Sequence, residues 1–139
     1  MSEYFLKLQN LQKEFKEIDK RRANKWEFKP HQRAIFDFVM KSKKYVVFNV
    51  LEYEIVLRVG NERYGFKHFL LRHYGDGCEG EIKALDILNI GNVVRNNIVL
   101  PAKDKKRVIF MQNKGGLKYS LVLEKRESSK LVVSFFSSE

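Results

Sequence analysis

The sequence predicts an α+β fold: N-terminal helices followed by a helix pair packed on a small antiparallel sheet of about four strands. Three observations carry that expectation. Apolar residues in the first forty positions recur every three or four residues. At Tyr45 the pattern changes to β-branched and aromatic runs. The last forty residues then read as short strand patterns separated by turn chemistry. The change of period divides the chain into an N-terminal helical region, 1–44, and an α+β domain, 45–139.

Phe5, Leu8, Leu11, Phe15 and Ile18 make the apolar stripe of the first helix, which closes on Lys20-Arg21-Arg22. Cations there oppose the negative end of the helix dipole. Pro30 opens a second helix at a favoured first-turn position, with Ala34, Ile35, Phe38 and Val39 as its buried side. Tyr45–Val50 and Tyr53–Val59 follow as two strands, ended by Gly60-Asn61-Glu62. Gly65 to Tyr74 returns to helical spacing, and the glycine-rich stretch from Gly75 to Gly80 is a loop. Residues 82 to 94 read as one further helix. Three strands complete the chain, Arg107–Gln112, Leu117–Lys125 and Leu131–Ser137, with hairpin turns at Asn113–Gly116 and Arg126–Ser129.

Composition narrows the function. The chain has 139 residues, 44% of them apolar, enough to build one core and too apolar for intrinsic disorder. A lone cysteine, Cys78, excludes an internal disulfide framework and a cysteine-based zinc cage. No apolar run approaches the roughly 20 residues that span a bilayer, so no membrane insertion is expected. The N-terminus shows no secretory pattern, and a cytoplasmic setting is the expectation. The formal net charge is +10 and the isoelectric point about 9.7. A surplus of that size points to a polyanionic partner, most simply nucleic acid. The first 44 residues hold 12 basic and 6 acidic side chains, more than half of the surplus.

The densest polar cluster is Lys67, His68, Arg72 and His73 in a single short helix. At 100° per residue His68 and Arg72 share one face, while Phe66, Phe69, Leu70 and His73 share the other. An imidazole passes protons near neutral pH and a guanidinium grips a phosphate. Together they suit attack of an RNA 2′-hydroxyl on the neighbouring phosphate. The competing reading is a solvated helix face with a half-buried His73. Metal chemistry is the weaker alternative, because His68 and His73 are five apart rather than three or four. No phosphate-binding glycine loop and no Gly-x-Ser-x-Gly motif is present, so no nucleotide cofactor and no serine hydrolase is expected. Ser134 lies among large apolar residues of the last strand, on the face of Val132 and Phe136, where its hydroxyl must bond to backbone or serve a site.

The order of these motifs resembles a known group. Gly65-Phe66-Lys67-His68, Arg72-His73, Ile87-Leu88-Asn89-Ile90-Gly91, Tyr119 and Val132-Val133-Ser134-Phe135-Phe136 together resemble the barnase/EndoU/colicin/RelE-like (BECR) nucleases of phage-associated and polymorphic-toxin type. The likeness covers about residues 60 to 138. It implies a metal-independent endoribonuclease, without cofactor, that cleaves RNA, often tRNA, through a 2′,3′-cyclic phosphate in the cytosol of a bacterial cell. Carried across, His68 becomes the general acid or base, Arg72 or Lys67 the phosphate clamp, and Ser134 the terminal-strand hydroxyl. His73 and Tyr119 are second candidates. The likeness also implies a cognate immunity or antitoxin protein as partner. Two other readings stand beside it: a non-catalytic basic module that binds nucleic acid, and a partner-binding protein that docks through its first helix. On any of them, the N-terminal helices are expected to position the domain or bind a partner rather than to perform chemistry.

Overall fold

Ser2 caps the first helix, α1 (Glu3–Arg22), by accepting the Phe5 N–H at 3.1 Å. This computed structural model describes residues 2–139. In α1 only Leu8, Leu11 and Phe15 are buried, whereas Phe5, placed in the same stripe by spacing, is exposed. Pro30 starts α2 (Pro30–Met40), whose Gln32 side chain accepts the Lys29 N–H at 2.8 Å and closes the first turn. A tight hairpin then joins β1 (Tyr45–Val50) to β2 (Tyr53–Arg58). The helix that carries the histidines is α3 (Gly65–His73), entered through Gly60 to Tyr64.

The stretch expected as one helix over 82–94 is two, α4 (Ala84–Leu88) and α5 (Ile90–Arg95). They break at Asn89, whose side-chain carbonyl accepts from Gln32 Nε2 at 2.7 Å and from Asn92 Nδ2 at 3.3 Å. Four strands complete the chain: β3 (Ile98–Pro101), β4 (Arg107–Lys114), β5 (Leu117–Lys125) and β6 (Lys130–Ser138). The β4–β5 turn is Gly115-Gly116, both at positive φ, the backbone that a two-residue hairpin needs and that glycine adopts freely.

The expected small antiparallel sheet of about four strands does not form. The α+β class holds, but the sheet has six strands in the order β1-β2-β6-β5-β4-β3, and it is mixed. Two causes account for the difference. The segment Ile98–Pro101 is only four residues long and contains a proline, so it lacks a strand's sequence signature; it forms by pairing along β4. The N-terminal hairpin, in turn, joins the meander through a parallel contact, Ile55 opposite Lys130 and Val56 opposite Leu131. No local pattern announces a pairing across more than seventy residues.

One apolar cluster unites helices and sheet. Leu11 and Phe15 of α1, Ile35 and Phe38 of α2, Phe69 of α3, Ile87 of α4 and Val94 of α5 share it with Phe110, Leu121 and Phe135 of the strands. Aromatic rings meet edge to face through it, Phe38 with Phe66, Phe66 with Phe69, and Phe69 with Phe135. α1 also ties down α3 by polar contacts. Lys7 Nζ donates to the Leu71 carbonyl at 2.8 Å, and the Tyr74 hydroxyl donates to Glu14 while accepting from Asn10 Nδ2 at 3.2 Å.

A bulge between Val122 and Leu123 resets β6 against β5. Val132 faces Leu123, Phe135 faces Leu121, and both sit in the core with no exposure. Ser134, opposite Val122, is thereby turned to the other face with Phe136, not to the face of Val132 as plain alternation predicts.

Candidate active site

A cleft of about 950 Å³ opens where α3, the loop after it and the end of β6 meet. Five of the six residues singled out from sequence line it: His68, Arg72, His73, Tyr119 and Ser134. Lys67 does not line it. Its ammonium lies 5.4 Å from the centre of the Tyr4 ring, where it stacks α3 on α1.

The two histidines come together although helical spacing separates them. Their rings meet edge to face with centroids 6.3 Å apart. Each is held by one nitrogen on a backbone carbonyl. His68 Nδ1 donates to Glu62 O at 2.8 Å, in the loop before α3, and His73 Nδ1 donates to Glu79 O at 2.7 Å, in the loop after it. A carbonyl only accepts, so Nδ1 carries the proton in both rings and the lone pair of each neutral imidazole lies on Nε2. His73 also leans on the Phe136 ring at 5.5 Å. Burial, the largest influence, pushes the His73 pKa below the ordinary imidazole value, and His68 and Arg72 push it the same way against the opposing Glu79 carbonyl bond and Glu79 charge. His73 is therefore neutral at pH 7.

The loop that presents Glu79 is fastened to the last strand. Ile82 N–H donates to His73 O at 2.8 Å, giving a parallel bridge between Tyr74 and Ile82. Gly80 sits at φ +65° against His73, where a Cβ would lie 3.0 Å from the ring Nδ1 and 3.0 Å from Ser137 O. Only glycine fits both the conformation and the space.

Across the cleft, Ser134 is 8% exposed and Tyr119 is half-buried, its ring stacked on Phe135. Burial raises the Tyr119 pKa, and the neighbouring Asp86 carboxylate adds to the effect by accepting from the hydroxyl. Tyr119 stays a protonated donor. Arg72 is exposed at the mouth, in the last turn of α3, where a cation is favoured.

Sequence reasoning missed Lys83 and Asp86 in this lining. Their signal was an acid three residues into a helix: Asp86 accepts the Lys83 N–H at 2.8 Å and caps α4. Glu79 and Glu81 also line the cleft, as does Cys78, which accepts from Lys7 Nζ at 3.8 Å. Among the described residues no three His, Cys, Asp or Glu side chains gather as a metal-binding group, and no helix is long and apolar enough to cross a membrane. No protein-family model matches the chain, and no curated protein matches it.

Proposed function

We propose that the protein is a metal-independent endoribonuclease that cleaves RNA by transesterification at the ribose 2′-hydroxyl. The observation that supports it is the pairing of His68 and His73 in one cleft, each with Nδ1 bound to a carbonyl and Nε2 left for a proton. In this reading His73, kept neutral by partial burial, takes the 2′-hydroxyl proton on Nε2. The oxygen attacks phosphorus, the bond to the 5′-oxygen breaks, and His68 returns a proton to that leaving oxygen. The products are a 2′,3′-cyclic phosphate and a 5′-hydroxyl. Arg72 neutralises charge building on the phosphorane, the Ser134 hydroxyl donates to a phosphate oxygen, and Tyr119, whose proton is held by Asp86, shapes the wall of the cleft. Each group does what its chemistry permits.

The choice of tRNA, a toxin or phage-borne setting, action in the bacterial cytosol, and a cognate immunity or antitoxin partner rest on the resemblance of the motifs alone. Incubation of the protein with total tRNA in the presence of EDTA, followed by analysis of product ends, tests the reaction. Cyclic phosphate ends support it. Intact RNA, or ends bearing a 5′-phosphate, reject it. A second reading, a non-catalytic basic module that binds nucleic acid, is favoured by the net charge of +10 and predicts salt-sensitive binding with no turnover.

A further inference from the structure

The face of the sheet turned away from the core carries an apolar patch that the cleft does not use. Residues directly opposite one another on neighbouring strands share a face. Ile98 lies opposite Met111, Leu100 opposite Ile109, and Ile109 opposite Val122. All five therefore stand on one surface, opposite to Phe110 and Leu121, which point into the core. Ile98 is 42% exposed and Leu100 is 40% exposed, on a strand with no buried residue. Aliphatic side chains at such exposure on an outer strand mark a contact surface better than they mark a free edge.

The surroundings identify the kind of partner. Residues 98–130 hold nine Lys and Arg against three Asp and Glu. Lys103, Lys105 and Lys106 sit exposed in the turn between β3 and β4, Lys114 and Lys118 beside the next turn, and Lys125 and Arg126 beside the last. The one acid of the first turn is engaged, since Asp104 accepts the Lys106 N–H at 2.9 Å and faces Arg107. An aliphatic centre with a cationic rim is a poor platform for RNA, whose bases need aromatic rings or guanidinium planes on which to stack. It is equally poor for a second copy of this chain, because self-pairing would set two cationic rims against each other.

We propose that the outer face of β3, β4 and β5 binds an acidic protein, one that sets aliphatic side chains against Ile98, Leu100, Ile109, Met111 and Val122 inside a rim of carboxylates. Such an interface has an apolar centre for affinity and a charged rim for orientation and encounter rate. The proposal does not depend on the nuclease reading.

The test uses the full chain, amide NMR and a synthetic peptide of alternating Glu and Val as the acidic, aliphatic probe. The Glu-Val peptide is expected to shift amides of 98–100, 107–112 and 122–123 and to leave 66–73 in place, while a Lys-Val peptide shifts none. Ile98→Ser with Leu100→Ser is expected to weaken the peptide about tenfold, the scale of losing one good interface anchor. Lys105→Glu with Lys106→Glu is expected to weaken it to a similar degree. These two lysines are exposed turn residues, so the charge variant decides the matter even if the serine pair loses its fold. Absence of shifts on these strands, or an equal response to the Lys-Val peptide, overturns the proposal. So does a single-stranded RNA that shifts the same amides, or a sedimenting dimer that buries them.

Discussion

Ser137 holds Gly80 as a neighbouring strand would, its N–H donating to the Gly80 carbonyl at 3.1 Å while its hydroxyl donates to Glu81 O at 2.5 Å. The residue just before Gly80 is Glu79, whose carbonyl receives His73 Nδ1. The end of β6 thus sets the direction of an imidazole on α3, and the site depends on a loop that has little structure of its own.

Replacing Gly80 tests that dependence. Gly80→Ala forces a side chain into positive φ and against the His73 ring. A stability loss of about 1–3 kcal/mol is expected from strain of this kind. RNA cleavage is expected to fall further than RNA binding, because the ring turns while Arg72 is untouched. Denaturant unfolding, a binding titration and a cleavage assay on one preparation check it; equal losses in binding and cleavage would show that the loop does not orient His73.

The histidines themselves give a sharper contrast. His68→Ala and His73→Ala are each expected to lower cleavage by about 10²–10⁴-fold with the fold retained. Because burial holds His73 below the ordinary imidazole value, the rise of kcat/KM with pH should be centred below that value. That acid limb is expected to disappear in His73→Ala and persist in His68→Ala. A pH–rate profile of the three proteins decides the assignment of base and acid.

Stability should depend on pH through a different histidine. His31 is 2% exposed, its two ring nitrogens have no hydrogen-bond partner, and it packs against the backbone of Gly91. Burial first, then Arg95 and Lys29, lower its pKa to about 4. A folded-state pKa below the unfolded one means that the unfolded chain binds the proton more readily. Stability is therefore full above about pH 6.5 and declines as the pH falls towards 4, by about 3 kcal/mol over that window. Urea unfolding at several pH values should show the decline, and His31→Leu should flatten it.

The first helix should prove structural. Phe15 has no exposure and belongs to the same cluster as Phe69 and Phe135. Phe15→Ala is expected to cost about 3–5 kcal/mol. Removal of residues 1–22 should leave a chain without cooperative thermal unfolding, whereas Phe5→Ala, at an exposed position, should change little. A folded and active truncation would show that α1 is an accessory.

Affinity for RNA should fall steeply with salt, since each phosphate contact releases counterions. The slope of log affinity against log salt should shrink by about one when Arg72 becomes Ala, measured by fluorescence anisotropy on a catalytically silent His68→Ala background.

Sequence reading located the elements whose signal is local. The helical spacing of α1, the proline entry to α2 and the alternation of β4 and β5 all rest on neighbours within a few residues, and each element appears where periodicity places it, although the buried stripe of α1 is limited to Leu8, Leu11 and Phe15. β3 escaped because its four residues gain their conformation from β4. The break at Asn89 escaped because its cause is Gln32, far away in sequence. In the site, the clustering of His68, Arg72 and His73 was legible, while the turning of His73 towards His68 was not. That turn depends on Glu79 O, and so on a loop pinned from the far end of the chain. Ser134 was legible as a residue and not as an orientation, because one bulge inverts its face.

β6 stands third in the sheet, between β2 and β5, although it follows both in the chain. The N-terminal hairpin and the rest of the meander are synthesised before the segment that joins them. Until Lys130 to Ser138 emerge, Ile55 and Leu57 on one side and Leu121 and Leu123 on the other lack the strand that brings them together. A chain without that strand is left with two unfinished half-sheets and exposed edges, a state that invites chaperone binding and wrong pairing. Nor does it have a completed cleft, since Ser134 and the anchor for the Glu79 loop both arrive with that strand. Whatever chemistry the site performs is withheld from the cell until translation has passed residue 138.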